Sequence, residues 1–139
     1  MDLSTAHTTA RNAAARLPAL QASFDLLDSG AAAPYVEIYG TARPAAGGAP
    51  GGSPLVTVTM SNPPGTVDGA LFRIVLTVPI EGQIALAGDA LWARIYDGAG
   101  AWWADCSVSD EAGSGEIKLQ IITLAVGAFV RITSAVFQG

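Results

Sequence analysis

Apolar and polar positions follow two rhythms along this chain, one of three to four residues near the start and one of two from Tyr35 onward. Between Ser4 or Thr8 and Asp28 there are only helix-compatible residues and no glycine, and Leu17, Leu20, Phe24 and Leu27 recur on one side. This predicts an amphipathic N-terminal helix within residues 1–30, stopped by Ser29-Gly30. Pro18 lacks the N–H that a helix interior needs, so the segment is expected to be kinked there or split into two helices, with Pro18 in the first turn of the second.

From Tyr35 the period becomes two. Tyr35–Tyr39 and Leu55–Met60 read as strands, the second with Val56, Val58 and Met60 on one face. Leu71–Ile80 reads as a longer strand with Phe72, Ile74, Leu76, Val78 and Ile80 on one side, followed by a short one over Ile84–Ala87. The clearest signal is LWARIYDGAGAWWADCSV, residues 91–108, a hairpin turning at Asp97-Gly98-Ala99-Gly100. Strict alternation on its second arm puts Trp102, Ala104, Cys106 and Val108 on the apolar face, and Trp103, Asp105 and Ser107 on the other. Glu116–Ile122 alternates with Ile117, Leu119 and Ile121 inward, and Ala128–Phe137 ends the chain as a strand. Between them Thr41–Pro54, TARPAAGGAPGGSP, has almost nothing to bury and reads as a flexible loop. About eight strands at this spacing predict a mainly β protein: an antiparallel β-sandwich, jelly-roll-like, over residues 31–139, preceded by the amphipathic helix.

Composition narrows what such a body does. Six arginines and the single Lys118 are scattered through a chain of net charge −5, which excludes a phosphate-tracking basic surface, so no nucleic acid partner is expected. No apolar run reaches the roughly 18 residues of a membrane span, so no membrane partner is expected. His7, Arg11 and Arg16 interrupt the N-terminal segment, which is not the layout of a secretory signal, and no export is expected. Charged residues make up only 14% of the chain while 50% are apolar. Two readings account for this: an alanine- and glycine-rich composition with a neutral surface, or extensive contact with neighbouring subunits, whose interface cores are depleted in charge.

Candidate chemistry is sparse. His7 is the only histidine and lies far in sequence from Cys106, the only cysteine, so neither a nucleophile–base pair nor a Cys/His metal cluster is expected. Cys106 beside Asp105 reads as a small buried hydrophobe. Asp105, Asp110, Glu111 and Glu116 form the densest acidic group, but their spacing matches no calcium loop and reads as a solvated turn. The glycines of residues 41–54 lack the GK[ST] ending of a phosphate loop. No catalytic, cofactor or metal residue is therefore assigned. The candidate protein-contact residues are Leu17, Leu20, Phe24 and Leu27 on the helix, together with Trp102 and Trp103. One indole of the tandem pair must leave the main core, and alternation alone does not say which.

Several stretches carry a resemblance: the helix end Asp25-Leu-Leu-Asp28-Ser-Gly30, the run Val36-Glu-Ile-Tyr39-Gly-Thr-Ala-Arg43-Pro44, LWARIYDGAG with Asp105-Cys-Ser-Val108, and the closing IKLQIITLAVGAFVRITSAVF. Together they resemble a group of small structural proteins of tailed bacteriophages and prophages, from whose pattern the chain departs between Pro63 and Pro79. The resemblance implies a non-enzymatic virion component, assembled in the host bacterial cytoplasm, whose partners are other virion proteins. The expected role is a capsid cement or decoration protein that stabilises the head against the major capsid protein and forms a homo-oligomer. The alternatives are a tail, neck or fibre-adaptor component, or a carbohydrate- or receptor-binding module.

Overall fold

The computed structural model describes residues 1–139. Ser4 is extended, and its Oγ accepts the His7 backbone N–H at 3.2 Å, so the first turn of α1 (Thr5–Leu27) is capped. The helix is one element of 23 residues with Pro18 inside it, and the split that its sequence allowed does not occur. Ala14, whose carbonyl loses its donor to Pro18, lies on an exposed stretch, so that carbonyl is open to solvent. Asp28 N–H bonds to Phe24 O, and Ser29 bonds to Leu26 O through both N–H and Oγ, which closes the C-terminus. Leu20 and Leu27 are buried and tie the second half of α1 to the sheet, each contributing on the order of 1.5–3 kcal/mol. Thr5–Arg16, by contrast, buries no side chain.

The strands are β1 (Tyr35–Tyr39), β2 (Val56–Thr59), β3 (Gly65–Asp68), β4 (Arg73–Leu76), β5 (Ile80–Gln83), β6 (Gly88–Asp89), β7 (Trp92–Tyr96), β8 (Trp102–Asp110), β9 (Ile117–Leu119), β10 (Thr123–Leu124) and β11 (Phe129–Gln138). One sheet runs β2-β1-β7-β8-β9-β11-β4-β3, β5 also pairs with β11, and β6 and β10 form a separate ribbon. The sheet curls until β5 comes against β2, where Val56 and Ile84 form an isolated bridge. Gly82 permits this approach, because a Cβ there would stand 2.7 Å from Thr57 O. Val36, Ile38, Ile95, Ile117 and Ile132 fill the enclosed core.

The sheet is mixed, which corrects the all-antiparallel expectation: β8 and β9 run parallel, with Val108 opposite Ile117 and Asp110 opposite Leu119. Parallel neighbours usually need a dozen or more connecting residues; here Glu111–Glu116 suffice because their polar groups stitch the turn shut. Asp110 Oδ1 accepts Gly113 N–H, Ser109 Oγ accepts Gly115 N–H, and Ser107 and Glu116 exchange bonds in both directions. Cβ atoms at Gly113 and Gly115 would sit 2.5 and 2.6 Å from Ser109, so only glycine fits at either position.

The expected Leu71–Ile80 strand is also corrected. Asp68 Oδ1 accepts the N–H groups of Ala70 and Leu71, its Oδ2 takes Arg73 Nε, and Phe72 adopts a left-handed φ of 49°. A tight turn therefore joins β3 to β4. Pro79, which has no N–H for a ladder, separates β4 from β5. The strand expected at Ile84–Ala87 lies earlier, at Ile80–Gln83. Alternation past Leu119 fails because β9 ends there and the chain bends into the β6–β10 ribbon; Ile121, expected inward, is exposed.

Candidate functional site

The outer face of β1, β7 and β8 carries three cross-strand rows. Tyr35, Tyr96 and Trp102 form one, Glu37, Arg94 and Asp105 the next, and Tyr39, Trp92 and Ser107 the third. Tyr35 stacks on Tyr96 with centroids 4.9 Å apart, and Tyr39 stacks on Trp92 at 4.6 Å. The middle row holds an ion pair almost out of water. Arg94 Nε and Nη2 donate to Asp105 Oδ1 and Oδ2 at 2.6 and 2.9 Å, with side chains 6% and 2% exposed. The fork geometry makes the pair bidentate. Arg94 is held charged, chiefly by its hydrogen bond to Asp105. Burial works to raise the Asp105 carboxyl, but hydrogen bonds from Arg94 and the Gly47 N–H, with the Arg94 charge, outweigh it and hold the group below the usual carboxylate range.

The same pair anchors the glycine-rich segment. Arg94 Nη2 donates to Gly48 O at 2.8 Å, Gly47 N–H reaches Asp105 Oδ2 at 3.3 Å, and Arg43 Nη2 bonds to Asp105 O at 2.6 Å. Residues 41–54, which read as a flexible loop, are thus laid across the outer face by charge-assisted bonds rather than by apolar burial.

The tandem tryptophans are separated by a bulge. Arg94–Asp105 and Ile95–Ala104 pair in register, but Tyr96 pairs with Trp102, leaving Trp103 as the extra residue. Trp102 therefore points outward, 47% exposed, with Nε1 bonded to Asp105 Oδ1 at 3.2 Å. Trp103 turns inward, donates to Ser23 O of α1 at 2.9 Å and meets the Phe137 ring edge-on at 5.6 Å. Strict alternation grouped Trp102 with Cys106 and Val108 but left open which indole leaves the core; the bulge puts Trp102 outside. The helical candidates face the chain's own body: Leu20 and Leu27 are in the core, Phe24 packs against it, and Leu17 lies beside Gly69. Ser23, Leu26, Asp97, Ala101, Trp102 and Trp103 line a groove of about 380 Å³ between α1 and the hairpin.

Cys106 and His7 lie apart in unlike settings. Burial, with Glu116 nearby, pushes the Cys106 thiol up to about 12, so it is protonated at neutral pH. His7 is exposed on the free half of α1, about 20 Å along the axis from Leu20. Asp105, Asp110 and Glu116 each serve a different local bond, and no three His, Cys, Asp or Glu side chains come together in a metal-binding arrangement. No helix is long and apolar enough to cross a membrane.

A second surface, which sequence reading missed, lies around the β6–β10 ribbon. Leu86, Leu91, Ile121, Ile122, Val126 and Phe129 are all exposed there, Val126 and Phe129 at 64% and 63%. Hydrogen bonds hold their segments together: Ala90 N–H to Ile122 O, Gly127 N–H to Ile84 O and Ile84 N–H to Ala128 O. Asp89 is the only ionisable residue in 82–92 and 119–130. No sequence signal singled it out: Gln120–Val130 carries no charged residue, but neither does the longer run Pro44–Val67. The chain matches no family model, no curated protein and no solved structure with which it was compared.

Proposed function

We propose that this protein is a non-enzymatic structural component of a tailed-phage virion, a cement or decoration protein of the head, and that it binds its neighbours through the apolar end at the β6–β10 ribbon. That end is the observation carrying the reading. Its six large apolar side chains are each between 37% and 64% exposed, and exposed apolar surface of this kind marks an interaction site. Within it Asp89 is the one charge, and the exposed Arg131–Glu81 pair stands at its edge beside Phe129, as an apolar interface centre with a polar rim would have it. The resemblance of the helix end, hairpin and closing strands to virion proteins supplies the biological setting. In this reading the curled sheet is a variant of the sandwich or jelly-roll body, and copies of the chain meet under the symmetry of the shell.

The test is co-sedimentation of the purified protein with phage heads lacking their decoration protein, together with its mass by light scattering. The wild type is expected to oligomerise or sediment with heads, and a Val126→Glu, Phe129→Glu variant to do neither while keeping its melting temperature. A wild type that remains monomeric and ignores heads would refute the head assignment; binding to tails in its place would move the protein to the tail or neck.

A further inference from the structure

We infer that the groove between α1 and the β7–β8 hairpin is a binding site for a neutral sugar ring, stacked on Trp102 and hydrogen-bonded to Asp97. This inference is independent of the assembly role and uses the opposite kind of surface. Trp102 is fixed before any ligand arrives: its N–H is bonded to Asp105, and a Cβ added at Gly47 would stand only 3.0–3.4 Å from three atoms of its benzo ring. An indole already immobilised loses little freedom on binding. Across the groove Leu26, 62% exposed, forms the facing apolar wall, with Trp103 and Ala101 between.

Two observations select the occupant. The hydrogen bonds to the Asp97 carboxylate, from Ala99 and Ala101 N–H, both go to Oδ1; Oδ2 accepts none within the chain. An occupant without donors would cover that oxygen and leave it unpaired, which disfavours a purely apolar side chain. A neutral pyranose avoids that cost, since its C–H face suits the indole and its hydroxyls donate to Asp97 Oδ2. The groove volume of about 380 Å³ admits one such ring.

The experiment is a glycan array followed by titration of cellobiose and the N-acetylglucosamine dimer, read by tryptophan fluorescence, with choline as the cationic control. Saturable binding of a neutral glycan is expected, weakened about tenfold or more by Trp102→Ala and largely retained in Trp102→Phe. Because Trp102→Ala also removes the loop's contact at Gly47, Leu26→Arg on the exposed far wall provides the second variant; it should block binding without changing the melting temperature. An array with no bound glycan, choline binding tighter than the sugars, or affinity unchanged in both Trp102→Ala and Leu26→Arg would overturn the assignment. None of these results bears on head binding, which the groove variants should leave intact.

Discussion

Replacing Asp105 by alanine should be among the most damaging single changes in the sheet, and the structure shows why. The substitution leaves the Arg94 guanidinium, 6% exposed, without its counter-charge, and it removes the acceptor of the Gly47 and Trp102 N–H groups. Breaking a buried pair by deleting one partner costs about 3–5 kcal/mol, mostly the penalty of an uncompensated charge. The Gly47 N–H adds little to this, because an exposed loop residue rebinds water. For a chain of this size the loss corresponds to a fall of roughly 10 °C or more in melting temperature. Urea unfolding followed by tryptophan fluorescence measures it, and hydrogen exchange at residues 43–48 reports whether the loop lifts. An Arg94→Met, Asp105→Leu double variant removes both charges and should recover most of the lost stability, giving a large coupling in the double-mutant cycle. If Asp105→Ala cost less than about 1 kcal/mol, the pair would be behaving like a solvent-screened one, and the account of how the outer face is held would be wrong.

Acid should act through the same carboxylate: its folded pKa lies below the ordinary value, so its contribution is present above the usual carboxylate range and is lost as pH falls through the depressed folded value. Melting curves across that acidic window should be steeper in pH for the wild type than for the Arg94→Met, Asp105→Leu variant. Gly115→Ala should destabilise by about 1–3 kcal/mol, because its Cβ would stand 2.6 Å from Ser109 N; an unchanged urea midpoint would mean the parallel turn relaxes freely. Cys106, 1% exposed and pushed up to about 12, should resist iodoacetamide in the native protein and react once the protein is unfolded, as mass spectrometry would show. Leu27→Ala should cost about 2–5 kcal/mol by opening a cavity under α1, measurable by the same urea titration.

The elements legible in the sequence are those whose signal is local. Ser4 caps α1 through an atom three residues away, Tyr35–Tyr39 alternates against a single core, and the hairpin centres on Asp97-Gly98. What escaped depended on atoms distant in sequence or on breaks of register. A bulge of one residue puts Trp102 outside and Trp103 inside, and period-two reasoning has no term for it. The Asp68 turn and Pro79 divide what alternation joins into one strand, although Pro79 itself was a visible warning. The parallel pairing of β8 and β9 depended on Ser107 and Ser109 reaching across the turn to Glu116 and Gly115, which no propensity encodes.

The candidate surfaces divide along the same line. Reading the helix as a contact surface assumed that its apolar stripe is free, whereas the stripe of an amphipathic helix is first claimed by the nearest core, here through Leu20 and Leu27. A surface available to partners must instead be apolar where the chain's own packing has finished. That condition is met where β9 ends at Leu119 and the chain continues through Ile121, Ile122, Val126 and Phe129 before β11 begins its buried run. Alternation there would have turned half of these side chains inward. The ribbon of β6 and β10 is only two residues long on each strand, and Ile121, Ile122, Val126 and Phe129 lie outside it and are exposed. Asp89 apart, the segments that build this end carry no charge, and the exposed Arg131–Glu81 pair lies at its edge, so the contact proposed above would have an apolar centre and a charged rim.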